Sequence, residues 1–354
     1  MNNASPDPTT AAPETAAAVP DSHTRPDPAQ PDPAAPARPT SSEPDPTQPE
    51  PAQPESAQPE PAQPSPTRPS AARPGPVRVI CVVYHPGAEL ADFARSLADA
   101  TTAEVELVLV DNGTDHTVAE QVAQEHGGRV LVPGANLGYG GGAAAGAAGA
   151  TQPWLVVANS DLVWAPGSLD ALLDAAARYP RSGALGPALL NPDGTVYPSA
   201  RELPSLRQGA GHALFSRVWP GNPWTRGYQR RQEASGDERR AGWLSGACLL
   251  LRREAFEAVG GFDTSYFMFF EDLDLGERLA LAGWDNVYVP GARVTHVGGT
   301  SWRERPARMI SAHHASARQY LLRRYHRWYQ WPVRVAVSIG LGVRERLELR
   351  AANR

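Results

Sequence analysis

Four short apolar runs, residues 77–84 (VRVICVVY), 105–111 (VELVLVD), 128–132 (GRVLV) and 153–161 (PWLVVANSD), have the length and β-branched content of strands. Between them, residues 88–100, 115–126 and 140–150 carry helical patterning. The alternation predicts β-α-β-α-β-α-β: an α/β domain whose mainly parallel, Rossmann-like sheet is covered on both faces. Ligands of such sheets bind at the carboxyl ends of the strands. Two acids stand there, Asp111 in VDNGTD and Asp161 in ANSD.

Further along, residues 247–251 predict a buried strand, residues 252–259 a short helix, and Gly260-Gly261 its break. A second helix begins at Glu271, with Leu275, Leu279 and Ala282 as its buried stripe and Glu271, Asp272 and Asp274 in its first turn. Acids there favour the helix dipole, each by roughly 0.3–1 kcal/mol, and that alone accounts for them structurally. Three carboxylates behind the aromatic run Tyr266, Phe267, Phe269 and Phe270 also suit chemistry on a polar substrate.

The segment PGANLGYGGGAAAGAAG (133–149) imitates a dinucleotide-binding turn. Such a fingerprint follows the first strand, whereas these glycines follow the third, which disfavours a dinucleotide site. They are expected to let backbone approach a ligand and to pack a helix closely on the sheet. Asp161 reads either as a cap for a helix at Ser168 or as a hard-oxygen ligand for a divalent ion bridging a nucleotide diphosphate. His296 in VTHVGGTS reads either as a structural histidine or as a further ligand.

Composition removes one domain from the count that length alone gives. Residues 1–76 hold 22 of the 36 prolines, repeat AQPE imperfectly, and contain almost no large apolar side chains, so they are expected to be disordered and partly polyproline II. Their ten acids against four arginines account for the overall charge of −5. Neither a signal peptide nor a run of the ~20 apolar residues a spanning helix needs is evident, which predicts a cytoplasmic protein. Cys81 and Cys248 sit in apolar runs, as buried thiols do. Residues 301–354 carry twelve arginines and three acids interleaved with Trp302, Tyr320, Tyr325, Trp328, Tyr329 and Trp331. That pattern suits a helical extension peripheral on the inner face of an anionic membrane. The alternative is a solvated face packing its aromatics on the domain. No nucleic-acid motif accompanies the charge.

Taken in order, the opening strand, VDNGTD, NLGYGGG, NSD, LSGACLLLRREAFEAVGGFD, FEDLDLGERL and His296 resemble glycosyltransferase family 2, enzymes of the GT-A fold, across residues 77–300. GALGPALLNPDGTVYPSAR (183–201), NPWT (222–225) and GWLSGACLL resemble more narrowly the actinobacterial rhamnosyltransferases that act on N-acetylglucosaminyl-diphospho-polyprenol in cell-wall linker synthesis. The resemblance implies metal-dependent (Mg²⁺ or Mn²⁺) inverting transfer of L-rhamnose from dTDP-L-rhamnose. It implies Asp272 as general base with Glu271 beside it. Asp111, Asn136, Gly138, Asn159 and Asp161 are then expected at the donor, Asp161 and His296 at the metal, and Trp243, Ser245, Gly246 and Asp274 at the acceptor sugar. The rival expectations are a family member using another nucleotide sugar or acceptor, and a non-catalytic sugar-nucleotide or lipid-diphosphate binder.

Overall fold

The structure, a computed structural model, describes residues 75–204, 236–298 and 306–352. The expectations for the proline-rich tail, for residues 222–225 and for Trp302 lie outside the described residues. The first half alternates β1 (Val77–Val83), α1 (Glu89–Ala100), β2 (Val105–Asp111), α2 (Thr117–Glu125), β3 (Arg129–Leu131), α3 (Gly138–Ala147) and β4 (Trp154–Asn159). Then follow β5 (Leu162–Trp164), α4 (Ser168–Arg178), β6 (Ser182–Leu190), β7 (Val196–Tyr197), β8 (Ala200–Arg201), β9 (Arg239–Ala241), β10 (Trp243–Leu244), β11 (Cys248–Arg252), α5 (Arg253–Ala258), α6 (Glu271–Leu281) and β12 (Asp285–His296). Two long helices close the described chain, α7 (Pro306–Arg324) and α8 (Trp331–Ala352), joined across a 3-10 turn at Trp328–Gln330.

The main sheet runs β3-β2-β1-β4-β11-β6-β12-β5. Its first four strands are parallel, as the alternation requires. The antiparallel β11 is inserted between β4 and β6, and β6 pairs parallel with β12. Alternation along β1 divides the core. Val77, Val79, Cys81 and Val83 face α1, α2 and α4 with Phe93, Val122 and Leu172, while Ile80 faces the α3, α5 and α6 layer with Ala143, Phe256 and Leu275. Both cysteines are free and buried, and burial pushes both thiols up.

In α6, Leu275 and Leu279 are buried as expected, but Ala282 is exposed. The helix ends at Leu281, so Ala282 caps it and turns outward. The strand at residues 182–190 escaped the sequence reading because glycine and proline interrupt its apolar pattern.

Candidate active site

The chain reaches α6 through two consecutive left-handed residues that are not glycine, Phe269 (φ 67°) and Phe270 (φ 68°). Such residues cost on the order of 1–3 kcal/mol each, so surrounding contacts must fix them. α7 supplies those contacts. The His313 ring packs against Phe269 and Phe270, Ser316 Oγ donates to the Met268 carbonyl at 2.7 Å, and the Arg308 guanidinium lies over Phe267. The aromatic run therefore faces α7.

The turn delivers Asp272 half-buried against residues 245–247. Its Oδ2 accepts the Gly246 N–H and its Oδ1 the Leu273 N–H, both at 2.8 Å. Burial raises its pKa even though these N–H groups and nearby Arg201 favour the anion. The helix start therefore loses to desolvation, and the carboxylate is a stronger base than an exposed aspartate. Glu271 points the other way, beneath the α3 glycines, where burial first and the Asp272 charge second push it up to about 8. Its Oε2 is buried without a hydrogen-bond partner, which befits a protonated acid. Because the folded protein then holds this proton more tightly than the unfolded chain, stability falls as pH rises between about 4.5 and about 8. Glu271→Gln is accordingly expected to leave the urea midpoint unchanged at pH 5 and to raise it at pH 8. Equal midpoints at pH 8 would show that Glu271 ionises normally.

Asp274 is not brought to this cleft. Its carboxylate is held by Arg278 Nε at 2.7 Å and faces Arg323 of α7, because position 274 lies two residues, about 200°, round the helix from Asp272. The expected acceptor contact from Asp274 is thus replaced by a structural one.

Across the cleft, β12 pairs with β5 and brings His296 to the loop after β4. His296 Nε2 lies 3.2 Å from Asp161 Oδ1 and 3.2 Å from Asn159 Nδ2. The Gly298 N–H donates to Asp161 Oδ2 at 3.1 Å. Burial raises the Asp161 pKa, but the hydrogen bond and charge of His296 outweigh it, leaving the carboxyl below its ordinary range. Asp161 therefore does not cap the helix at Ser168, whose cap residue is Gly167. Tyr197, Asn191, Ser245 and His296 line one cavity of about 300 Å³. Ser245 and Gly246 are consecutive, so one short segment joins this cavity to Asp272.

Asp111 is placed differently from the expectation. Its side chain is fully buried, Oδ1 accepts the Gly113 N–H and Oδ2 pairs with His116 Nδ1, both at 2.8 Å. A fully buried carboxylate already committed to these partners is not open to a ligand; His116, partly exposed, is the group it presents. Asn136 Oδ1 accepts the Gly138 N–H at 2.9 Å, which forms the turn into α3. Neighbouring Asn112, buried, braces that turn by donating to the Gly138 carbonyl and accepting the Leu137 N–H.

Two further residues, Arg201 and Tyr139, enter the site that sequence reasoning did not single out. The guanidinium of Arg201 lies 5.3 Å from the centroids of both Tyr197 and Trp243 and acts on Asp272 through its charge. It comes from β8, which pairs with β10 so that Arg201 sits opposite Trp243. Tyr139 donates its hydroxyl to the Gly246 carbonyl at 2.5 Å and so fixes the segment that binds Asp272. Its signal was present in NLGYG, but only as a letter between glycines.

A family model described as "Glycosyltransferase like family 2" matches residues 71–329. The chain belongs to glycosyltransferase family 2. The N-acetylglucosaminyl-diphospho-decaprenol L-rhamnosyltransferase of Mycobacterium tuberculosis is 48% identical over 288 residues, which cover 78% of this chain and 94% of that protein. The rhamnosyltransferase WbbL of Escherichia coli K12 is 38% identical over 82 residues, 23% of this chain and 31% of that protein. Among solved structures, the mannosyltransferase PcManGT from Pyrobaculum calidifontis, in complex with GDP-Man and Mn²⁺, aligns with a TM-score of 0.48 at 18% identity, covering 84% of this chain and 76% of that one. Family 2 membership and the parallel β3-β2-β1-β4 half of a mixed sheet agree with the GT-A fold expected from the resemblance. Among the described residues no helix is long and apolar enough to cross a membrane.

Proposed function

We propose that this family 2 enzyme transfers L-rhamnose from dTDP-L-rhamnose to N-acetylglucosaminyl-diphospho-polyprenol with inversion at the anomeric carbon. The observation that carries the reading is the near full-length similarity to the mycobacterial rhamnosyltransferase. The placement of Asp272 supports it further: a base raised by burial, held by Gly246 beside Trp243 and Ser245.

The acceptor sugar lies on Trp243, Ser245 and Gly246, and its hydroxyl gives its proton to Asp272. The freed oxygen forms a bond to the anomeric carbon as the bond from that carbon to the diphosphate oxygen breaks, and nucleoside diphosphate leaves with the electron pair. Glu271, kept neutral, leaves Asp272 as the charged member of the pair. Arg201 orients the acceptor opposite Trp243. The donor lies over the turn of Asn136 and Gly138, with its diphosphate toward Asn159 and Asp161, and Asp111 acts on it through His116.

Asp161 and His296 would hold a divalent ion, Mg²⁺ or Mn²⁺. A carboxylate oxygen and an imidazole nitrogen 3.2 Å apart fit part of such a shell, while no cluster of three His, Cys, Asp or Glu exists among the described residues. The diphosphate must therefore complete the shell. When bound, the ion would neutralise charge on the departing diphosphate.

Incubation of dTDP-L-rhamnose with a synthetic N-acetylglucosaminyl-diphospho-lipid, with Mg²⁺ or Mn²⁺ and with chelator, tests the reading. The expected product gains the mass of one deoxyhexose and fails to form with chelator. Transfer from a UDP- or GDP-sugar in place of the dTDP donor would replace the donor assignment; binding of donor and acceptor without any transfer would replace catalysis with a binding role. The C-terminal arginines and aromatics support a location on an anionic membrane surface, where a polyprenol-linked acceptor resides.

A further inference from the structure

Among the described residues, nothing covers the apolar residues on one side of helix α8. Trp331, Val335, Ile339, Val343 and Leu347 recur every fourth residue and are all exposed; Trp331 and Ile339 are each 62% exposed and Leu347 59%. Trp328 and Tyr329 of the preceding turn extend the face, at 85% and 54%. The other side of α8, with Val333, Val337 and Leu341 half-buried, is turned toward α7, against which the helix packs. From residue 335 to 343 (VAVSIGLGV) there is no charged side chain on either side. A helix that is apolar all round belongs in a buried environment, yet half of this one meets water.

The charges around the patch identify what covers it. Arg327, Arg334, Arg344, Arg346 and Arg350 are exposed, whereas the two acids of α8, Glu345 and Glu348, are half-buried. Glu348 is further occupied, bonding Arg344 at 2.7 Å and facing buried His314 at 3.7 Å. The exposed surface is therefore predominantly arginine, five exposed arginines against two half-buried acids. A second copy packed face to face would set arginines against arginines. Anionic headgroups satisfy them, acyl chains accept Ile339 and Val343, and the Trp and Tyr rings suit the boundary between the two.

We infer that the exposed face of α8 is a membrane-inserting face, sunk into the headgroup–acyl boundary of an anionic bilayer with the helix lying along the surface. The inference rests on the membrane-surface reading of the C-terminal stretch and goes beyond it, from electrostatic adhesion to insertion of named side chains. α7 carries the consequence to the active site. One side of it packs on α8, and the other clamps residues 266–270 through Ser316, His313 and Arg308 and holds Glu277 through the Tyr320 hydroxyl at 2.7 Å. Insertion of α8 therefore fixes the height of Glu271 and Asp272 above the bilayer, where a lipid-linked diphosphate presents its sugar.

The test uses the full chain and vesicles of phosphatidylglycerol and phosphatidylcholine, with a second set brominated on the acyl chains. Binding is measured by co-sedimentation at low and high salt and insertion by quenching of tryptophan fluorescence, assigned with Trp328→Phe and Trp331→Phe. The wild type is expected to bind, to be quenched by acyl-chain bromine, and to lose only part of its binding at high salt. Ile339→Asp/Val343→Asp should weaken binding by at least roughly tenfold, since two apolar side chains leave hydrocarbon, while its thermal unfolding and its transfer to a short-chain, micelle-free acceptor stay at wild-type level. Binding that salt abolishes completely, with no bromine quenching and no effect of the aspartates, would overturn insertion and leave surface adhesion standing. Failure of the wild type to bind at low salt would remove both. A dimer in sedimentation velocity that the aspartates disperse would overturn the lipid assignment in favour of a second copy.

Discussion

Replacing Asp272 with asparagine is expected to lower transfer by roughly 10²–10⁴-fold, the range a positioned general base supplies. The argument is geometric before it is electrostatic. Both Asp272 oxygens accept backbone N–H groups, from Gly246 and Leu273, and this leaves further lone pairs to take a proton from a hydroxyl seated at Trp243 and Ser245. Asparagine can match only one of those N–H groups, so its amide must face the other. That mismatch costs about 1–3 kcal/mol, and folding must be followed alongside rate. Urea midpoints therefore accompany the kinetics, and a variant that is folded and transfers at near wild-type rate would remove Asp272 as the base. The wild-type profile of kcat/KM should carry an acidic limb above the ordinary aspartate value, because burial raises Asp272. Arg201→Leu should push that limb higher still, since Arg201 is among the groups that favour the anion. A limb that stayed in place would disconnect Arg201 from Asp272.

Gly138→Ala is expected to be the most damaging single methyl group in the domain. Gly138 has φ of +75°, and a Cβ there would lie 1.8 Å from the carbonyl oxygen of Phe267 and 2.7 Å from its carbon. The obstacle is backbone and cannot swing aside. Left-handed strain of roughly 1–2 kcal/mol adds to overpacking of about 1–3 kcal/mol, for a loss of roughly 2–5 kcal/mol. Phe267 accepts the Tyr139 N–H at 3.0 Å and stands just before the turn into Glu271 and Asp272, so transfer should fall with stability. Gly149→Ala is the matched control: its φ is +66° with nothing within 4 Å of the added carbon, so strain acts alone. If chemical denaturation gave both variants the same loss, the close approach of α3 to the 267–270 turn would not matter energetically.

Much of the site was legible because its motifs are local. Acids after strand ends and a carboxylate cluster at a helix start are patterns of a few consecutive residues, and in the structure Asp161 stands beside His296 while Asp272 stands against Gly246. Pairings between distant segments were not legible. Arg201 enters the cleft through a two-residue strand paired with Trp243, and no periodicity marks so short an element. Asp274 looked equivalent to Asp272 in FEDLDLGERL, yet the half turn of helix between them turns one toward Gly246 and the other toward Arg278 and Arg323. Likewise, Asp111 stood at the expected strand end, but burial against His116 withdrew its carboxylate from ligand reach.

The sequence by itself determined the α/β class, the parallel first half of the sheet and the order of the motifs, because apolar periodicity and strand-end acids are set by neighbours along the chain. Tertiary structure alone decided the ionisation and the facing of the site. Whether Asp272 is a stronger or a weaker base depends on a balance between burial and N–H donors 26 residues away at Gly246, and burial prevails. Whether His296 joins Asp161 depends on β12 pairing with β5. Whether the apolar residues of α8 are core or surface depends on which side α7 covers, and α7 covers only one. Each is a property of distances between chain-remote atoms, which only packing fixes.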